Sequence, residues 1–342
     1  MELKQLQQHI HTLVTLEENE SPVTSLYLDL AQGEDAYRLF VNERFKAIKK
    51  NLPTSLLPCV HSTLHQIQAY LAVRRKPSSK GVAIFARPGH DGIFMALEFM
   101  VPLPNVYAVS FLPSVYHLFE LRDNYHRYVA MILGETNVRI LEVSLGEISS
   151  QIRTETPDLS MSIDEPVSHQ KRQRMVHSFI NGQMHILDSM VADKGYTHVI
   201  LGGSPDMTEY FMSVAPLHLA RKIISCDLPR SRHADDEIVE LTNKVFAEFE
   251  EKESRAAADR LAHSINTTGL AVAGEESTLR ALQMCQADLL VMLSSYDPKL
   301  STKNQMVRLA EQSACKVEIA HQSEALDRLG GVGCLLRYKM TS

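Results

Sequence analysis

Leu329-Gly330-Gly331-Val332-Gly333-Cys334-Leu335-Leu336-Arg337-Tyr338 reads as a double-glycine turn feeding a short apolar strand that ends in Arg-Tyr. Paired glycines let the chain take positive φ where a Cβ would clash, and Val332 to Leu336 is long enough for one buried strand. Taken alone the string is also what any sheet-edge turn looks like. Upstream of it lies a run with more structure in it. Gly269-Leu-Ala-Val-Ala-Gly-Glu-Glu-Ser-Thr-Leu-Arg-Ala-Leu282 gives a strand, a glycine and a helix with Glu275 and Glu276 in its first turn, where the macrodipole favours negative charge. Leu279, Leu282 and Met284 are expected on the apolar side of that helix, and residues 287–292 form an aliphatic strand after it. Further back, His198-Val-Ile-Leu-Gly-Gly-Ser-Pro-Asp-Met-Thr-Glu-Tyr-Phe211 reads as strand, Gly-Ser turn and helix, with Pro205 at an early helical position.

The remaining elements follow from periodicity. Residues 23–30 alternate as a strand, 34–52 and 55–74 carry apolar residues at helical spacings, and 81–87 and 93–101 are strands around a Pro-Gly-His-Asp-Gly turn. Strands are expected again at 128–133, 137–143 and 147–155, followed by a polar loop over 156–170 and a long helix over about 171–192. Met175, Phe179 and Ile186 are expected to supply that helix's apolar periodicity, and Asn181-Gly182-Gln183 lies inside it. The polar segment 122–125 and the Pro-Arg-Ser-Arg-His linker at 229–234 mark the expected boundaries, giving domains at 1–124, 125–230 and 231–342.

Composition bounds the reading. A chain of 342 residues with 44% hydrophobic residues is globular and long enough for two or three cores. Its five cysteines are scattered, with no CxxC or Cys/His spacing, which gives neither a disulfide framework nor a zinc site. His9 and His11, two apart on a helix, point in different directions and make no metal pair. There is no Walker loop, dinucleotide fingerprint, nucleophile elbow or HExxH, so no cofactor is expected. Gly202-Gly203-Ser204 fits a strand-to-helix turn as well as a phosphate cradle. No basic-then-apolar leader and no long apolar run appear, and a cytoplasmic protein without membrane contact is expected.

The net charge of −6 excludes nucleic-acid binding by bulk charge, so any RNA contact must come from local patches. Two are present. Arg74, Arg75, Lys76 and Lys80 flank a Pro-Ser-Ser loop, with Lys46, Lys49 and Lys50 on the preceding helix; Lys171, Arg172 and Arg174 cluster at the start of the long middle helix. Cations at a helix N-terminus oppose the dipole, and that unfavourable placement invites a polyanionic partner. A solvated face is the alternative for both.

The three strings, in this order, resemble the archaeal and eukaryotic class-I release factors and Pelota, and in particular the bacterial branch of that superfamily with its Balon-like hibernation and rescue factors. The resemblance implies an α/β (α+β) chain of three domains: a release-factor-like N-terminal domain, a ribonuclease-H-like middle domain and a ribosomal L7Ae-like C-terminal domain. It implies a partner in the ribosomal A site and its rRNA, and a translational GTPase such as elongation factor Tu, or the stalk base, against the last domain. Where the family carries its Gly-Gly-Gln loop, this chain has Ser168-His169-Gln170. The glutamine is kept and both glycines are lost, at a cost of about 1 kcal/mol or more for each position that must hold positive φ. A non-catalytic A-site occupant of idle or stalled ribosomes is therefore expected. A peptidyl-tRNA ester hydrolase using Gln170, with Gln173 near and His169 as proton carrier, is the alternative, and an RNA-binding or scaffolding protein unconnected to ribosomes is a third. The Asn-Ile-Lys-Ser and Tyr-x-Cys-x-x-x-Phe strings through which release factors read stop codons are missing between residues 34 and 88, so decoding is not expected.

Overall fold

A computed structural model describes residues 3–73, 75–125, 127–134, 137–156, 169–227, 234–296 and 299–338, without the side chains of His169 and Arg172. The described chain is mixed α/β, built on three sheets. It forms two compact units: residues 3–124 together with 250–342, and residues 125–249.

In the first unit, α1 (Leu3–Val14) precedes β1 (Val23–Asp29), α2 (Glu34–Asn51), a 3-10 turn at Thr54–Leu56, α3 (Leu57–Val73), β2 (Gly81–Arg87), β3 (Ile93–Phe99), β4 (Val106–Ser110) and α4 (Tyr116–Asn124). The sheet order is β3-β2-β1-β4, antiparallel throughout. Leu26, Leu28, Val82 and Ile84 bury one sheet face against Tyr37 and Val41 of α2 and Leu64 and Ile67 of α3. That alternation of core-facing residues is the period-2 pattern of a strand covered by helices. The polar segment at 122–125, where the first boundary was expected, includes the end of a helix. That helix is α4, in which Asp123 is largely buried and accepts from the Ile319 backbone N–H at 2.6 Å.

The second unit holds β5 (Tyr128–Leu133), β6 (Asn137–Ser144), β7 (Glu147–Glu155), α5 (His169–Lys194), β8 (Val199–Gly203), α6 (Pro205–Val214), α7 (Leu217–Ala220), β9 (Ile223–Ser225) and the first half of α8 (Asp235–Thr267). Its sheet runs β7-β6-β5-β8-β9, antiparallel among the first three strands and parallel at β5–β8 and β8–β9. Val129, Met131 and Leu133 face Ile180, Met184, Leu187 and Val191 of α5, while Tyr128, Ala130 and Ile132 face Ile238, Val239 and Phe246 of α8. Both faces of β5 are thus covered, which is why it reads as an unbroken apolar run. The α5 stripe differs from the expected one: Met175 and Ile186 are exposed, and the spacing 180, 184, 187, 191 turns inward. Gly203 closes β8 at φ +123°, and a Cβ there would lie 2.3 Å from the Leu133 carbonyl oxygen.

The first unit resumes with the rest of α8, β10 (Ala271–Ala273), α9 (Glu275–Gln283), β11 (Ala287–Leu293), α10 (Leu300–Gln312), β12 (Lys316–Ala320), α11 (Glu324–Arg328) and β13 (Val332–Leu336), in a sheet ordered β10-β13-β11-β12. The double glycine behaves as its composition requires. Gly330 and Gly331 both have positive φ, and Tyr296 lies so close over Gly331 that a Cβ would sit 3.1 Å from its ring. On α9 the buried residues are Thr278, Ala281 and Leu282, whereas Met284 is 52% exposed, so the apolar side is rotated from that expected. The expected cut at 230/231 precedes α8, and the two compact units divide inside that helix, between Phe249 and Glu250.

One face of α10 joins the two parts of the first unit. Asn304 accepts from the Tyr116 backbone N–H and donates to Ser114; Arg308 donates to the carbonyls of Leu13, Val14 and Leu16; Glu311 pairs with Arg122 at 3.1 Å. Residues spaced i, i+4, i+7 share a helix face, so one stripe makes all three contacts.

Candidate functional site

The start of α5 is where the sequence concentrates cations and glutamines. The helix begins at His169, so Gln170 stands in its first turn rather than in a loop, and the helix starts about two residues earlier than expected. Ser168 and the rest of 157–168 lie outside the described residues, as do the side chains of His169 and Arg172. Gln170, Lys171, Gln173, Arg174 and Met175 are all exposed, and burial begins only at Val176 and Phe179, which pack on the core of the unit. At 1.5 Å per residue, the seven residues 169–175 carry the helix about 10 Å past its last core contact. No acidic residue occupies the first turn. Gln170 and Gln173 share one face by their spacing of three, and so do Lys171 and Arg174.

The root of this projection is held firmly. The His177 ring stacks on Tyr210 of α6 with centroids 3.6 Å apart and planes within 7°, and Asn181 donates to the Tyr210 hydroxyl at 3.4 Å. Asn181-Gly182-Gln183 is helical, and Gln183 is buried. Below it, Glu142 of β6 accepts from Lys194 at 2.7 Å and from the Tyr196 hydroxyl at 2.5 Å. Burial opposes ionisation of Glu142, but those two hydrogen bonds and the Lys194 charge outweigh it and hold the carboxyl below the usual range.

The first basic patch is drawn out along α2. Lys46, Lys49 and Lys50 are exposed on its second half, while Arg75 packs over the Tyr37 ring at 6.0 Å beside its first turn. Lys46 lies about 13 Å along the helix axis from Tyr37 and Lys50 about 20 Å. Arg74 lies outside the described residues. Lys76 and Lys80 are exposed, and the loop between them is clamped by Glu98 of β3, which accepts from the Lys76 backbone N–H at 3.2 Å, from Ser79 Oγ at 2.6 Å and from the Tyr70 hydroxyl. Burial, then the bond to Glu98, pushes the Tyr70 phenol upward. Sequence reasoning missed Glu98. The available signal was an acid inside the 93–99 strand, at a position opposite Val82 where an apolar residue is the ordinary choice. Among the described residues no group of His, Cys, Asp and Glu is placed to hold a metal, and no helix is long and apolar enough to cross a membrane.

With this geometry in hand, residues 113–250 match the family described as bacterial archaeo-eukaryotic release factor family 10. The resemblance to the release-factor and Pelota superfamily stands. The matched stretch begins just ahead of α4 and ends where the second unit ends, so it contains the whole of that unit and the α5 projection. No curated protein matches the chain. Solved structures similar to it include Pelota of Archaeoglobus fulgidus, 16% identical over 76% of this chain and 80% of that one with a TM-score of 0.41. Dom34 of S. cerevisiae, a translation termination-like factor involved in RNA quality control and interacting with Hbs1, is 13% identical over 76% and 82%, with a TM-score of 0.44. Archaeal Pelota in its ribosome-bound form with ABCE1 is 13% identical over 99% and 95%, with a TM-score of 0.46.

Proposed function

We propose that this protein is a translation factor of the release-factor and Pelota kind that occupies the A site of idle or stalled ribosomes, in hibernation or rescue, without decoding stop codons. The observation that carries the reading is the release-factor-family stretch containing an exposed, cation-bearing helix start at the position of the family's catalytic loop. In this reading residues 1–124 face the decoding centre and 125–230 direct the segment 156–174 toward the peptidyl-transferase centre. Residues 231–342, the L7Ae-like part, meet a translational GTPase such as elongation factor Tu or the stalk base. Lys171, Arg172 and Arg174 contact rRNA phosphates, with Lys46, Lys49, Lys50, Arg74, Arg75, Lys76 and Lys80 doing the same from the first domain. No ester hydrolysis is required. Two lysines or arginines spaced along a projecting helix suit phosphate contact, which needs charge and reach rather than fixed backbone donors.

Sedimentation of extracts through sucrose gradients tests it: the protein should travel with ribosomal particles, and its consistent absence from them in both growing and starved cells would refute the proposal. Peptidyl-tRNA release from stalled complexes separates the runner-up. Release that is lost in Gln170→Ala would convert the occupant into a hydrolase.

A further inference from the structure

Among the described residues the three sheets leave six outer strands, and five are protected by shortness, charge or a capping side chain. β9 and β10 are three residues long. β4 has five residues, of which only Ser110 is exposed. β7 presents exposed Glu147, Gln151, Arg153 and Glu155, and β12 has its Ile319 N–H taken by the Asp123 carboxylate. β3 has none of these devices. It is a seven-residue strand, Ile93-Phe-Met-Ala-Leu-Glu-Phe99, without proline or glycine, and it pairs with β2 alone. Its one charge, Glu98, is committed to Tyr70, Ser79 and the Lys76 N–H. Of the large apolar side chains exposed in the described chain, Phe94, at 42%, is the only one on a strand. A long, apolar edge with a row of unpaired backbone groups is a template for another strand.

The surroundings of this edge say what that strand must carry. The pleat sets Phe94, Ala96 and Glu98 on one face, the face that α3 covers. There the Phe94 ring lies against Tyr70, with centroids 5.7 Å apart, and its cross-strand neighbour Ala86 is too small to cover it. Val73, 82% exposed and three residues after Tyr70, continues the same side of α3. An apolar shelf therefore accompanies the first half of β3. The other end is cationic: exposed Lys76 is anchored through its backbone N–H to Glu98, and exposed Lys80 through its own to the Phe99 carbonyl at 2.9 Å. From Phe94 to Glu98 is four residues, about 13 Å along the strand.

We propose that the outer edge of β3 is a strand-addition site for an extended acidic segment of a partner protein. The segment pairs backbone to backbone with Ile93–Phe99 in the antiparallel sense, seats one large apolar side chain on Phe94, Tyr70 and Val73, and brings a carboxylate four residues ahead of that anchor to Lys76 and Lys80. RNA is the competing occupant, since it suits both rings and cations. It is disfavoured by the edge itself, whose alternating donors and acceptors are matched by a second polypeptide backbone and not by a chain of phosphates. Lys76 and Lys80 are also among the proposed rRNA contacts, so a segment bound here excludes RNA from that end of the patch, but the pairing does not depend on the A-site reading.

The test titrates the full chain, by fluorescence anisotropy, with the labelled peptide Asp-Thr-Asp-Thr-Val-Thr-Leu-Thr, its twin with lysine for aspartate, and two versions N-methylated at one or the other alternating set of residues. The acidic peptide should bind at least about tenfold more tightly than the lysine twin. Methylation of one set should abolish binding and methylation of the other should leave it within about twofold, because only alternate N–H groups face the edge. Phe94→Asp and Val73→Asp, both at exposed positions, should each weaken the acidic peptide about tenfold while the calorimetric transition of the first unit stays in place. Absence of binding, equal binding of the acidic and lysine peptides, equal effects of the two methylation sets, or affinity unchanged in both variants each overturns the site. So does a ten-nucleotide uridine strand that loses affinity in both variants while the peptide loses none, since the shelf would then belong to nucleic acid. Peptide binding with this methylation pattern by a chain that never travels with ribosomes would leave the site standing and refute the A-site proposal alone.

Discussion

Replacing Arg308 by methionine keeps much of the side-chain volume on α10 and removes its hydrogen-bond donors. In the native fold Nη1 donates to the Leu13 carbonyl at 3.0 Å and Nη2 to Val14 at 2.5 Å, with a longer bond to Leu16 at 3.3 Å. Leu13 and Val14 close α1, so these are last-turn carbonyls with no partner inside the helix, at the end where a cation suits the dipole. Arg308 is only 8% exposed, and burial pushes its guanidinium pKa downward, so part of the gain already offsets its desolvation. Two good bonds from a charged donor contribute roughly 1.5–3 kcal/mol each before that offset, and the net loss on Arg308→Met comes to about 2–4 kcal/mol. For a unit of this size, roughly 2–4 °C of melting temperature accompanies each kcal/mol, giving a drop of about 5–15 °C. Scanning calorimetry of the full chain should show the transition of the unit formed by 3–124 and 250–342 fall by that amount while the transition of 125–249 stays in place. Amide exchange in α1 should quicken as well. An unchanged first transition, or equal displacement of both, would refute the claim that this contact holds the first unit together.

Gly203→Ala should abolish folding of the second unit, read as loss of its calorimetric transition, because the new Cβ would meet Leu133 backbone at 2.3 Å at a φ of +123°, a conflict worth more than about 3 kcal/mol. Lys194→Met should move acid unfolding of the same unit to higher pH. The folded pKa of Glu142 lies below its unfolded value, so its contribution is complete above the unfolded pKa and is lost as pH falls through the folded one; removing Lys194 raises the folded value and narrows that window. Lys171→Gln with Arg174→Gln should weaken ribosome retention and reduce its salt dependence, by about one unit of slope for each phosphate no longer neutralised, whereas Gln170→Ala should leave retention unchanged. Pelleting at graded salt reads both outcomes.

Much of this architecture was legible because it depends on local pattern. Strands at 81–87, 128–133 and 147–155 and helices from Glu34 and Glu275 follow from alternation, helical spacing and acids in a first turn. The glycines at 330 and 331 announced positive φ by composition alone. What escaped was decided by partners distant in sequence. Residues 116–124 form a helix in which Asp123 is buried, because its carboxylate serves a backbone N–H nearly two hundred residues away. The buried stripe of α5 turns on Ile180, Met184, Leu187 and Val191, and the equally apolar Met175 and Ile186 fall outside it, because several phases of a long helix carry apolar residues and only the packed sheet selects among them. The joining of the first and last segments through Asn304, Arg308 and Glu311 left no trace in either segment read alone. At the candidate site, the cations and Gln170 were visible as letters; that they stand on a helix extending about 10 Å past its core contacts required the packing of Val176 and Phe179.

The proposed partner is polyanionic and the chain is acidic, so the distribution of charge along it matters more than the total. A uniform −6 would repel RNA from every direction. Here the first 124 residues are neutral overall, yet residues 36–80 hold nine of their twelve cations and the flanking residues hold eleven of their twelve acids. The Debye length at physiological salt is about 8 Å, so an approaching strand feels the nearest face and little of the rest. The first turn of α2 itself carries Glu34 and Asp35, so approach of a polyanion is favoured along the second half of that helix, at Lys46, Lys49 and Lys50, and opposed at the acid-bearing faces. The same logic governs the start of α5, where Lys171 and Arg174 stand beyond the packed body of their unit with no acid in the first turn. In the proposed reading, repulsion elsewhere works as orientation: it opposes RNA approach through the acid-rich faces, and a bulk-basic protein of the same fold would bind RNA more tightly but with less selection of its face.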